Sequence, residues 1–211
     1  MLNYPYREPV NGFTHLFAAV MAVFGTVWLA AMTWGDTPRA VAVLVFGFSL
    51  IVIYVASSTM HLFNGSPAML ERLVRLDHAA IYIGIAGGYT PFIYHLLDGE
   101  WRLLMLVLIW GIALVGVISK LLFFWGGHLS TMLYVAMGWV GLIAAPQVAE
   151  TINADILSLI LAGGLVYTMG AVIFALRRPN LHQHFGHHEM WHICVMGGSA
   201  FHFAAVAIHV I

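Results

Sequence analysis

Charge is what this chain has least of. Only 8% of its 211 residues are charged, against about 25% in an ordinary soluble domain, too few to cover a water-facing surface of this size. Lysine is reduced to Lys120, beside seven arginines, and the formal net charge of -1 leaves no basic face for nucleic acid. A single cysteine, Cys194, excludes a disulfide framework, and its place in an apolar run marks it as a packing residue. The first twelve residues, MLNYPYREPVNG, have no basic stretch leading into an apolar one, so no cleavable signal peptide is expected.

What the chain has in abundance is hydrophobicity, at 62% of residues and a mean hydropathy of +0.92. A membrane-spanning helix needs about 20 mainly apolar residues. Seven segments qualify, over 13–34, 39–62, 77–97, 102–124, 129–149, 154–176 and 188–211. Turn chemistry divides them: GDTPR, FNGSP, DGE, WGGH, NAD and RRPNLHQHFG. The longest of the first five connections, 63–76, holds AMLERLVRL, an amphipathic piece suited to the interface. The expected fold is all-α: a polytopic membrane protein, one domain over 1–211, built as a seven-helix bundle. Arg7, Arg72, Arg75, Lys120, Arg177 and Arg178 then collect on one side, with Arg39 and Arg102 on the other. The basic excess predicts a cytoplasmic N-terminus and an outer C-terminus.

Ionisable groups within such segments are costly and need a reason. His61 ends the second segment, Asp77 opens the third, and His188 and His192 open the seventh. In the expected topology all four lie at one depth. The i, i+4 spacing of His188 and His192 puts both rings on one helix face, separated by about 6 Å of rise. Three imidazoles with a carboxylate or water make the ligand set of a zinc ion (Zn2+), and separate histidines capping helix ends are the alternative. Ser57 lies one turn before His61, either bonded back to its own helix or facing the metal. Glu8, Asn11 and His15 form a stripe that caps the interface or closes a polar cavity from below. His188, His192, Ser199 and His202 form another, pointing to an internal cavity rather than a dry bundle. Gly84, Gly88 and Pro91, on the Asp77 side of the third segment, are expected at a close helix contact. His78, His95, His128, His182, His184 and His187 lie near segment ends or in loops. Residues 188–192, H-E-M-W-H, match the zinc-protease signature, but on an apolar helix of spanning length rather than in an aqueous cleft.

These motifs, taken in order, resemble one family over essentially the whole chain. Glu8, Asn11, Thr14 and His15 before the first helix, Ser57 and His61 ending the second, Asp77 opening the third, and His188 and His192 opening the seventh are similar to the hemolysin III proteins. That family is the bacterial branch of the progestin and adiponectin receptor (PAQR) superfamily. The resemblance implies zinc on His61, His188 and His192, with Asp77 near it through a water and Ser57 beside it. A more distant similarity to alkaline ceramidases implies hydrolysis of a lipid amide or ester.

The functional expectation is therefore a zinc protein of the bacterial inner membrane, among lipids and with an acyl lipid as substrate. Asp77 and Ser57 are its candidate catalytic residues, Asp77 also a candidate ligand, and a homo-oligomer is compatible with the sequence. Two other classes stand beside it: a non-enzymatic sensor with structural zinc, and a pore-forming hemolysin. A structural site takes four protein ligands, whereas a catalytic one keeps a position for water.

Overall fold

The computed structural model describes residues 6–123, 127–149, 152–182 and 185–210. Glu150, His184 and the Trp125–Gly126 part of the fourth turn lie outside them. The described residues are helical almost throughout, as a chain without water for its backbone polar groups requires. Helix α1 spans Pro9–Met32, α2 Thr37–Leu62, α3 Pro67–Leu96 and α4 Gly99–Leu122. After α5 (His128–Gly138) come a 3-10 segment (Val140–Ala144), the short α6 (Ala145–Val148), α7 (Ala154–Leu176) and α8 (His187–Val210). Six stretches are long and apolar enough to cross a membrane: α1, α2, α4, α7, most of α8, and the composite His128–Val148.

Local chemistry sets the starts. Asp36 caps α2 by accepting from the Arg39 N–H at 3.1 Å, and Asn153 caps α7 through the Asp155 N–H at 2.7 Å. Proline follows closely at the head of α1, α2 and α3, where its missing N–H has no helical partner to lose.

Two elements depart from the expectation. α3 begins at Pro67 rather than at position 77, because AMLERLVRL is made of good helix formers and runs unbroken into DHAAIY. The interface piece and the third segment are one helix. Its first part carries Glu71, Arg72, Arg75 and Asp77, and its remainder mixes isoleucine with glycine, tyrosine and Pro91, which keeps it out of the strongly apolar set. The fifth segment is not continuous either; it breaks after Gly138. Tyr89 of α3 stitches the break, its hydroxyl donating to the Gly138 carbonyl at 2.5 Å and accepting from the Gly141 N–H at 3.0 Å.

Chain neighbours pack together from α1 to α4 and again from α7 to α8. α8 also packs on α1, and α5 on both α3 and α7. The result is a ring of α1, α2, α3, α5, α7 and α8, with α4 flanking α3. Large apolar side chains such as Phe24, Phe48, Val107, Leu114, Val115 and Leu165 face outward, while alanines dominate the buried contacts. This inverted distribution suits a lipid surround with small residues between helices. On α3 a close contact falls on Gly87, where a Cβ would strike the Ser49 side chain of α2. Gly88 faces open space, whereas at Gly84 a Cβ would come within 3.1 Å of Ile53 Cδ1 on α2; Gly84 is therefore at a close helix contact as expected, and both glycines also line a cavity. Cys194 is buried against Gly170, a packing residue.

Candidate metal centre

The last turn of α2 and the first two turns of α8 meet at one end of the ring. They bring His61, His188 and His192 together, with one ligand atom from each lying within 4.8 Å of the others. Ring centroids stand 4.8 Å apart for His61 and His192, 4.9 Å for His61 and His188, and 5.0 Å for His188 and His192. The planes meet at 67–77°, so the three rings converge like blades rather than stacking. His61 and His192 are fully buried.

Glu8, at the head of α1, accepts a hydrogen bond on Oε2 from His61 Nδ1 at 2.5 Å. That bond holds the Glu8 carboxyl below the usual carboxylate range against the opposing effect of half-burial, helped by the charges of His61, Arg7 and His188. A carboxylate only accepts, so Nδ1 carries a proton in this pair; in the neutral ring that leaves the lone pair on Nε2. His61 Nε2 and His192 Nδ1 are buried, and neither makes a hydrogen bond of good geometry among the described residues. Orphaned buried nitrogens at the meeting point of three rings fit a metal ion, and an all-imidazole set suits zinc.

Asp77 stands beside this group rather than within it. Its Oδ2 lies 3.8 Å from His78 Nδ1, and it lines the same cavity as Ser57, His188 and His192. Glu189, the acidic residue of H-E-M-W-H, is otherwise engaged. Its Oε1 accepts from Asn11 Nδ2 at 2.9 Å and its Oε2 from the Gly186 N–H at 2.7 Å, so it caps α8 and ties it to α1.

The α8 stripe borders a cavity of about 520 Å³. His15, Ser57, Asp77, His188 and His192 line one part of it; Leu50, Ile53, Ile81, Phe92, Ile160 and Val195 are among its apolar walls. Deeper in, Ser199 accepts from the Tyr54 hydroxyl at 2.7 Å and is bonded to that of Tyr167 at 2.7 Å. A separate hollow of about 380 Å³ lies on the polar side of His188, between Glu8, Asn11, Asn180, His182 and Glu189.

Helical spacing and a shared place at segment ends singled out the three histidines that the fold brings together. Spacing placed Glu8 and Asn11 on one stripe without showing that one grips His61 and the other Glu189, since those partners lie 53 and 178 residues away. Of the other described histidines, His15 stacks on His192 with ring centroids 3.7 Å apart, whereas His78 bonds to the Val74 carbonyl at 2.8 Å and His187 to Asn180 at 2.8 Å.

Residues 3–203 match the family model described as haemolysin-III related. The chain is 33% identical to hemolysin-3 of Bacillus cereus, an alignment covering 100% of this chain and 95% of that protein. It is 31% identical to the hemolysin-3 homolog of Bacillus subtilis (strain 168), over 96% and 94% of the two chains.

Proposed function

The chain belongs to the haemolysin-III related family, and we propose that it is a zinc-dependent hydrolase of lipid amides or esters in the bacterial inner membrane. The observation that carries this reading is the convergence of three histidines, two of which, His188 and His192, stand on the wall of a largely apolar cavity. A zinc ion held by His61, His188 and His192 would supply Lewis acidity toward an acyl carbonyl and a water whose pKa approaches neutrality. Asp77 would orient that water and take its proton, with the Ser57 hydroxyl beside it on the cavity wall. The apolar walls take the acyl chain and exclude bulk water. Asp77's position outside the three-histidine group supports a role through water rather than direct ligation.

The bundle crosses the membrane seven times in this reading, α3 included, with the N-terminus in the cytoplasm and the C-terminus outside. The metal centre then opens in the cytoplasmic leaflet. Reporter fusions at the two ends check the orientation, and a cytoplasmic C-terminus would refute it.

The enzymatic reading is tested with purified protein in lipid vesicles, offered ceramide-like amides and phospholipid esters with and without a chelator. Fatty-acid release that disappears on chelation and returns with zinc is expected. No zinc-dependent release across the panel would transfer the centre to a structural role in a membrane sensor.

A further inference from the structure

We infer that Glu8 is a positioning residue of the metal centre, its carboxylate fixing the tautomer and orientation of His61 so that Nε2 faces the ion. The inference rests on the metal reading above and adds a role for the first turn of α1.

His61 leaves α2 in its last turn, where an imidazole has a broad, roughly two-fold torsional preference about its ring bond. A half-turn would put Cδ2 and Cε1 where Nδ1 and Nε2 stand, and the other neutral tautomer would set the proton on Nε2; either removes the lone pair from the metal position. The bond from His61 Nδ1 to Glu8 Oε2 prevents both, because only a protonated nitrogen satisfies a carboxylate at 2.5 Å. Glu8 is itself held. Its backbone N–H donates to the His61 carbonyl at 3.1 Å, closing a two-point clasp between the same two residues. Its neighbour Arg7 reaches the Met60 carbonyl at 3.3 Å and lies 3.4 Å from Glu8 Oε1. The carboxylate thus cannot swing away without losing both His61 and Arg7.

The same turn of α1 fastens the other ligand-bearing helix. Asn11 holds Glu189 at 2.9 Å, immediately beside His188. One turn thereby grips both helix ends that supply the three histidines. A carboxylate bonded to the far nitrogen of a ligating histidine also makes that ligand more basic, and its loss typically lowers metal affinity 10–100-fold.

The test measures zinc affinity by chelator competition, the visible spectrum of cobalt-substituted protein, and metal-free melting temperature, for wild type, Glu8→Gln and Glu8→Ala. Glu8→Gln keeps the shape and an accepting oxygen but not the charge. Expected are a drop in affinity of about 10–100-fold for Glu8→Ala, a smaller drop for Glu8→Gln, and altered cobalt bands in both at nearly unchanged metal-free melting temperature. Wild-type affinity and spectra in both variants would overturn the positioning role while leaving the metal centre standing. Losses that merely follow the metal-free melting temperature would also overturn it, as would loss of all binding in Glu8→Gln, the mark of a direct ligand. Wild-type protein that takes up no metal would refute the metal reading, and this inference with it.

Discussion

His15 lies face to face with His192, ring centroids 3.7 Å apart and planes 17° from parallel. The two cannot share one ion, because a ligating lone pair lies in its ring plane and these planes run side by side. His15 instead walls one side of His192, and its two nitrogens are buried without a well-formed hydrogen bond among the described residues. A flat apolar ring would serve the packing role at lower cost. His15→Phe should keep zinc and raise metal-free stability by about 1 kcal/mol, since it removes unsatisfied buried nitrogens. His15→Ala should lose about 2 kcal/mol or more through the void it leaves. Thermal unfolding in detergent, with zinc content alongside, checks both; equal destabilisation by Phe and Ala would mean that the nitrogens have partners.

Stoichiometric zinc is expected from the convergence of His61, His188 and His192. Elemental analysis of wild type should give about one zinc per chain, and His188→Ala/His192→Ala should lose it, because two of three imidazole ligands go at once. Equal zinc in the two proteins would dismantle the centre as described.

Asp77→Asn separates metal binding from proton transfer. Asparagine preserves the size and polarity of the side chain but cannot take a proton from water. Zinc content should hold while turnover of a lipid amide or ester falls by about 10²-fold or more. Loss of zinc together with activity would make Asp77 a ligand instead.

Glu189→Gln distinguishes a helix cap from a general base. The Gly186 N–H and Asn11 Nδ2 both donate to this carboxylate, and an amide keeps one accepting oxygen. A modest stability loss of about 1 kcal/mol with most activity retained is expected. A fall of 10²–10⁴-fold, the scale for a general base, would restore the protease-like role of the H-E-M-W-H sequence.

The parts legible in the sequence are those governed by local rules. Long apolar runs located the strongly apolar helices, and the i, i+4 spacing of His188 and His192 put two ligands on one face before any contact was known. The start of α3 was hidden because the boundary between interface and membrane is a change of composition, whereas a helix ends only where backbone geometry or capping ends it. The break after Gly138 depends on Tyr89, a residue of another helix, and no local pattern carries that information. Gly88 has the spacing of a packing glycine, but spacing marks a face without saying what stands opposite it; Gly84 does meet Ile53, and Gly87, one position from Gly88, meets Ser49. The Glu8–His61 clasp was illegible for a related reason, being a pairing between the head of one helix and the tail of the next.

The clasp from Asn11 to Glu189 joins residues 178 positions apart, which places the centre in time as well as in space. During synthesis α1 and α2 are made with Glu8 and His61 already able to meet, but two of the three imidazoles arrive only with the last helix. With the three histidines as ligands, a chain stalled before α8 would hold one of them and an open flank on α1. Metal uptake at this centre would then follow completion of the bundle, and a metal-loaded molecule would be one whose first and last helices have found each other.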